Sequence, residues 1–120
     1  MGSIAEEIVS QKQLAIVDKY DSVVAYLYPI FHNLKKNQAM LRANALACLF
    51  EQVRLFIEAG KTSQVGKLYL ADANLALLRW YLRFMADSGR RLISPHQHQV
   101  AGVLVAEVGN LLGAWIRSRK

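Results

Sequence analysis

Apolar residues recur three and four positions apart in four successive blocks, and no sustained alternation bounded by turn residues occurs, so the pattern predicts an all-α chain. The first block runs from about Gln13 to His32, with Leu14, Val17, Val24, Leu27, Tyr28 and Phe31 on one side. Pro29 lacks an amide hydrogen and is expected to kink this helix or end its regular part. The second block spans about Gln38 to Ala59, with Leu41, Ala45, Cys48, Leu49, Val53 and Phe56 as its stripe and Gly60 placed to close it in a left-handed conformation. The third begins at Thr62 or Ser63, either of which can accept a hydrogen bond from a first-turn amide, and continues to about Asp87, with Gly89 ending it. The fourth opens with Ser94, Pro95 and Gln97, the pattern of a capping box with Pro at the first helical position, and runs to about Arg119. Long helices joined by short connections pack as antiparallel neighbours, so the expected architecture is an up-down-up-down four-helix bundle. It forms one domain over residues 1–120, with a flexible N-terminus of about twelve residues.

Two helices have more apolar surface than one small bundle can cover. In the fourth, Val100, Leu104, Val108, Leu111 and Trp115 form the expected core stripe, while Gly102, Ala106, Gly109 and Gly113 make a smooth second face. Glycine within a helix costs about 1 kcal/mol relative to alanine, so such a line points to a close backbone approach. It serves either an oligomer contact or tight packing within one bundle. In the third helix Leu70, Leu77, Trp80, Tyr81 and Phe84 occupy one side and Val65, Leu68, Leu75 and Leu82 another. A helix apolar on two sides is buried on two sides, which predicts a homo-oligomer.

Composition narrows the class. The 120 residues are 53% apolar with a single cysteine, Cys48, which excludes an intrachain disulfide and fits a reducing compartment. No apolar run approaching the ~20 residues of a membrane span is read from the sequence, nor is a basic leader, so the expected location is the cytoplasm. The formal charge of +6 is carried wholly by the second sixty residues. Such asymmetry favours a polyanionic partner: RNA, DNA or an acidic protein surface. Asp72, Arg79, Arg83 and Arg90 are spaced seven, four and seven apart and are expected to share one ridge of the third helix, with Glu107 as a possible ion-pair partner of Arg79. The bundle topology gathers Lys35, Lys36, Arg42, Arg90, Arg91, His96 and His98 at one end and Lys61, Lys67, Arg117, Arg119 and Lys120 at the other. The second cluster also complements the dipole of the last helix. Tyr26, Tyr28, Trp80 and Tyr81 are read either as core or as stacking platforms for bases.

Catalytic chemistry finds no foothold. His32, His96 and His98 lack the spacing of a metal site, no Glu is followed by His three residues later, and no glycine-rich phosphate loop occurs. Cys48 lies on a core stripe without a base to stabilise its thiolate. The reading is a non-enzyme without cofactor or metal.

Tyr26-Leu27-Tyr28-Pro29, Ala59-Gly60-Lys61, Lys67-Leu68-Tyr69, Ala71-Asp72-Ala73, Leu78-Arg79, Leu82-Arg83-Phe84, Pro95-His96-Gln97, Ala106-Glu107-Val108-Gly109, Leu112-Gly113 and Trp115-Ile116 together resemble the accessory variability determinant (Avd) proteins of diversity-generating retroelements, from Tyr20 to Arg117. The bundle proteins encoded by intervening sequences of ribosomal RNA genes are similar in architecture. The Avd resemblance implies a basic, barrel-like homopentamer that binds the element's reverse transcriptase and template RNA and has no chemistry of its own. It implies a role in mutagenic retrohoming, in which adenine-mutagenised complementary DNA diversifies a target gene. Arg79 and Arg83 then become the first candidates for contact, followed by Arg90, Arg91, Lys35 and Lys36. A purely structural oligomer without nucleic acid is the alternative of a different class.

Overall fold

A computed structural model describes residues 4–119, and the side chains of Gln13 and of residues 15–119. Among the described residues there are four α-helices and no strand: α1 (Ile4–His32), α2 (Ala39–Lys61), α3 (Val65–Ala86) and α4 (Pro95–Ser118), with a short 3-10 turn at Lys36–Gln38. Helices consecutive in the chain pack side by side, α1 closes the ring on α4, and the diagonal pairs make no close backbone approach among the described residues. The result is the expected antiparallel square bundle, drawn out to 52 × 22 × 21 Å.

Local chemistry accounts for most boundaries. Ser94 accepts from the Gln97 amide at 3.0 Å while Gln97 Oε1 accepts from the Ser94 amide at 2.9 Å, closing the capping box ahead of Pro95. Such a cap contributes about 1 kcal/mol. Thr62 Oγ1 accepts from the Gln64 amide, and α3 itself begins at Val65, slightly later than expected. Pro29 does not end α1, which continues one turn further, to His32. Gly60 does not act as a left-handed cap: among the described residues no glycine has a positive φ, and α2 continues through it to Lys61. The missing side chain leaves room for Gln13 of α1, whose carboxamide fills the place a Cβ would take.

The core is built from Tyr20, Leu27 and Phe31 of α1, Leu49 and Phe56 of α2, Leu68, Leu75 and Leu82 of α3, and Val108 and Trp115 of α4. Two expected stripes are rotated. In α4 the buried line is Ala101, Val105, Val108, Leu112 and Trp115, whereas Leu111 is exposed and Val100 and Leu104 are half-buried. In α1 the buried residues are Ile16, Tyr20, Val23, Leu27 and Phe31, with Val17 and Val24 at the margin and Tyr28 exposed; the side chain of Leu14 lies outside the described residues. The physical reason in α4 is that it is apolar nearly all round, so periodicity alone does not fix its rotation. By length and composition α4 could cross a membrane, contrary to the sequence expectation; in the bundle its Ala101–Trp115 line faces the common core.

A polar layer crosses the α2–α3 seam. Gln52, fully buried, donates to Ala71 O at 2.8 Å and accepts from Asn74 Nδ2 at 2.8 Å, and Asn74 also donates to Cys48 O. Buried polar groups need partners, so this layer fits only one register of the two helices. Tyr20 donates to Leu49 O at 2.6 Å and meets Phe56 edge-on, and burial pushes its phenol well above the ordinary tyrosine range.

Burial likewise pushes the Cys48 thiol up to about 11 from 9.0. Two pK units leave about 100-fold less thiolate at pH 8. Native protein is therefore expected to alkylate at least about 100-fold more slowly than the denatured chain, measured by mass spectrometry after iodoacetamide. Since the unfolded thiol ionises first, stability contributed by this group falls as pH rises from about 9 towards about 11.

Candidate functional site

The end of the bundle formed by the α1–α2 and α3–α4 connections brings the largest set of exposed cations together. After α1, Leu34 tucks under the core while Lys35 adopts an extended conformation and starts the 3-10 turn that carries Lys36. Arg42 on α2 is half-buried and donates to Leu34 O at 3.1 Å, which pins this connection. Arg42 thus has a structural duty, whereas Lys35 and Lys36 are exposed.

Across from them α3 stops at Ala86, and Asp87 accepts the amides of Arg90 and Arg91 at 2.9 and 2.8 Å. Arg90 therefore leaves the helix and does not extend the ridge of Asp72, Arg79 and Arg83. Its guanidinium lies 3.9 Å above the Phe84 ring and 3.3 Å from Asp87 Oδ2. Phe84 is itself stacked on Trp80 at 5.2 Å, so a row of π faces ends in a fixed cation. Arg91 has φ 49°, a left-handed conformation that side chains rarely adopt, and its Nε donates to Ser88 O at 3.3 Å.

Between the two connections lies an open cavity of about 590 Å³. Pro29, Ile30, Leu34 and Leu92 supply its apolar surface, and Lys35, Arg90 and Arg91 its positive charge. Asn33, Asn37, Gln38 and Gln97, each with a side-chain amide, complete the lining, and no Asp or Glu is among the lining residues. Sequence reading placed the cations at this end but missed the cavity and its amides, because these come from segments nearly sixty residues apart.

The remaining candidates are distributed differently. Arg79 and Arg83 are exposed on α3. Arg79 does not pair with Glu107, which instead meets Lys19 of α1 at 2.9 Å, a half-exposed pair contributing at most about 1 kcal/mol. The reason is rotational: Glu107 faces the α1 side of α4, and Arg79 reaches across the other side, over Gly109. Gly109 thus serves packing within the bundle. Gly102 faces open space, Ala106 is exposed, and Gly113 is half-buried beside Arg117. At the far end Lys61 and Arg117 are exposed, Lys67 is half-buried, and Arg119 donates to Thr62 O at 3.0 Å; Lys120 lies outside the described residues.

Aromatic side chains divide between both readings. Tyr26 and Tyr81 pack against the core, whereas Tyr28 is exposed, stacked on His32 and edge-on to Phe50. Trp80 is 46% exposed, with Leu70 at 54% and Leu77 at 43% on the same outward face of α3. That face, continued by Tyr69, Ala73 and Phe84, carries no charge along the helix.

Among the described residues no group of three or more His, Cys, Asp or Glu side chains could hold a metal ion. The arrangement offers phosphate contacts, amide hydrogen bonds and an apolar docking face. No curated protein matches the chain. The model of the bAvd-like family matches residues 14–119, which takes in α1 from residue 14 onward, the other three helices and both connections at the basic end. The chain belongs to the bAvd-like family.

Proposed function

We propose that this protein is a non-catalytic accessory subunit of a diversity-generating retroelement, which binds the element's reverse transcriptase and template RNA in the cytoplasm and enables mutagenic retrohoming. Family membership supports the accessory role. The observation that carries the nucleic-acid part is the basic end, where Lys35, Arg90 and Arg91 line a cavity without carboxylates and Lys36 is exposed next to Lys35. Cations so placed hold phosphate oxygens, which fixes a strand in position without reading its sequence. Arg79 and Arg83 extend the same function along α3, with Lys61, Lys67 and Arg117 as a second patch and Arg42 as a pin for the first.

Self-association is the second component. The outward face of α3 holds half-exposed Leu70, Leu77 and Trp80, and Gly102, Ala106 and Gly113 offer a smooth neighbouring surface on α4. Closed into a five-membered barrel, subunits cover these faces and multiply each basic patch fivefold, giving a multivalent hold on a long phosphate backbone.

Reconstitution tests the proposal. With the element's reverse transcriptase and template RNA, complementary DNA synthesis is expected to depend on this protein, which alone incorporates no nucleotide. Equal synthesis in its absence, with no complex on gel filtration, would refute the accessory role.

A further inference from the structure

The cavity at the basic end has a composition that phosphate contact alone does not require. Its lining combines three cations, Lys35, Arg90 and Arg91, with apolar residues and with four residues that carry side-chain amides. A nucleotide calls for these three kinds of partner: it has an anionic phosphate, an apolar face on sugar and base, and a base edge that both donates and accepts hydrogen bonds. Asn and Gln amides match such an edge because each offers a donor and an acceptor on one plane. Gln97 keeps its amide nitrogen for this use, since only its Oε1 is engaged in the capping box. The volume of about 590 Å³ lies within the range of sites that enclose one small ligand.

From this we infer that the cavity between the Asn33–Gln38 and Arg90–Leu92 connections takes a single unpaired nucleotide of the bound RNA, with the base against Ile30, Leu34 and Leu92 and the phosphate on Arg90 and Arg91. The inference rests on the nucleic-acid reading above and adds to it a preference for single-stranded segments. A paired, stacked base cannot enter a pocket without leaving its helix, so duplex RNA reaches the rim only. Both guanidinia are held in place before any ligand arrives, Arg90 by Asp87 and the Phe84 ring, Arg91 by Ser88 O. Arg91 occupies a backbone conformation that glycine would adopt with less strain, so its side chain is retained at a cost to the fold.

Fluorescence anisotropy on the full-length protein at low salt decides the matter, with a labelled twelve-nucleotide single-stranded RNA and a duplex of the same sequence as probes. The single strand is expected to bind at least about 10-fold tighter, and adenosine, guanosine, cytidine or uridine monophosphate to compete where inorganic phosphate at equal concentration does not. Asn33→Ala with Asn37→Ala is expected to weaken single-strand binding at least about fivefold and leave duplex binding unchanged. Arg91→Gly weakens it as well while its thermal midpoint stays level or rises, which separates loss of the site from loss of fold. Equal binding of both probes, unmoved by the double amide variant, overturns the pocket and leaves the nucleic-acid reading intact. Absence of binding to either RNA at low salt overturns that reading, and the pocket with it.

Discussion

Leu77→Asp combined with Trp80→Glu is expected to elute as a monomer at concentrations where the native protein is expected to elute as an oligomer, with helical content unchanged by circular dichroism. Both side chains are nearly half-exposed on the outward side of α3, away from Leu75 and Leu78, which are fully buried in the core. Neither substitution therefore opens a cavity in the bundle. In an assembly that covers this face, each large apolar side chain loses about 1 to 3 kcal/mol of burial, and a carboxylate placed there without a partner costs several more. A sum of about 4 kcal/mol per contact raises the dissociation constant about 1000-fold. Trp80 also stacks on Phe84, so the variant loosens the row of rings on which Arg90 rests, and RNA binding falls through both the lost valency and the freed cation. Elution unchanged from the native protein would place the subunit contact elsewhere, with the small-residue surface of Gly102, Ala106 and Gly113 next in line.

Reversal of three cations at the basic end has the other large expected effect. Lys35→Glu, Lys36→Glu and Arg91→Glu together remove the entire formal excess of +6. All three are exposed, so stability should move by no more than about 0.5 kcal/mol per site. Arg42 and Arg90 are spared by design, because the first holds Leu34 O and the second the Phe84 ring. Affinity for structured RNA is expected to fall at least about 100-fold near 100 mM salt, since each lost phosphate contact also forfeits a released counterion. The same reversal at Lys61, Lys67 and Arg117 should matter less, because that end shares its cations with helix-end packing, as Arg119 on Thr62 O illustrates.

How far these sites could be read from the chain depends on whether local or distant chemistry sets them. The capping box at Ser94 and Gln97 is local, and it stands where its residues place it. The four helices and their antiparallel order follow from apolar periodicity and short connections. Gly60 shows the limit of a local rule: a glycine near a helix end suggests a cap, yet here it clears space for Gln13 of another helix. The rotation of α4 escaped periodicity because apolar residues surround it, and with the rotation went the partner of Glu107, which faces Lys19 and not Arg79. Gln52 did carry a signal, a polar residue in step with Leu49 and Phe56 on a buried stripe, and its bonds to Ala71 and Asn74 explain it. The cavity carried none, since its two walls meet only once the bundle is closed. The left-handed turn at Arg91 was equally hidden, because Gly89, two residues earlier, is the residue that sequence rules would choose.

Whether the basic end holds a phosphate backbone is measured by the binding of labelled structured RNA across a salt series from roughly 50 to 300 mM. The logarithm of the affinity is expected to fall linearly with the logarithm of salt, with a slope steeper than about −3, as four or more phosphate contacts require. Binding that ignores salt, or no binding at the lowest salt, would contradict it.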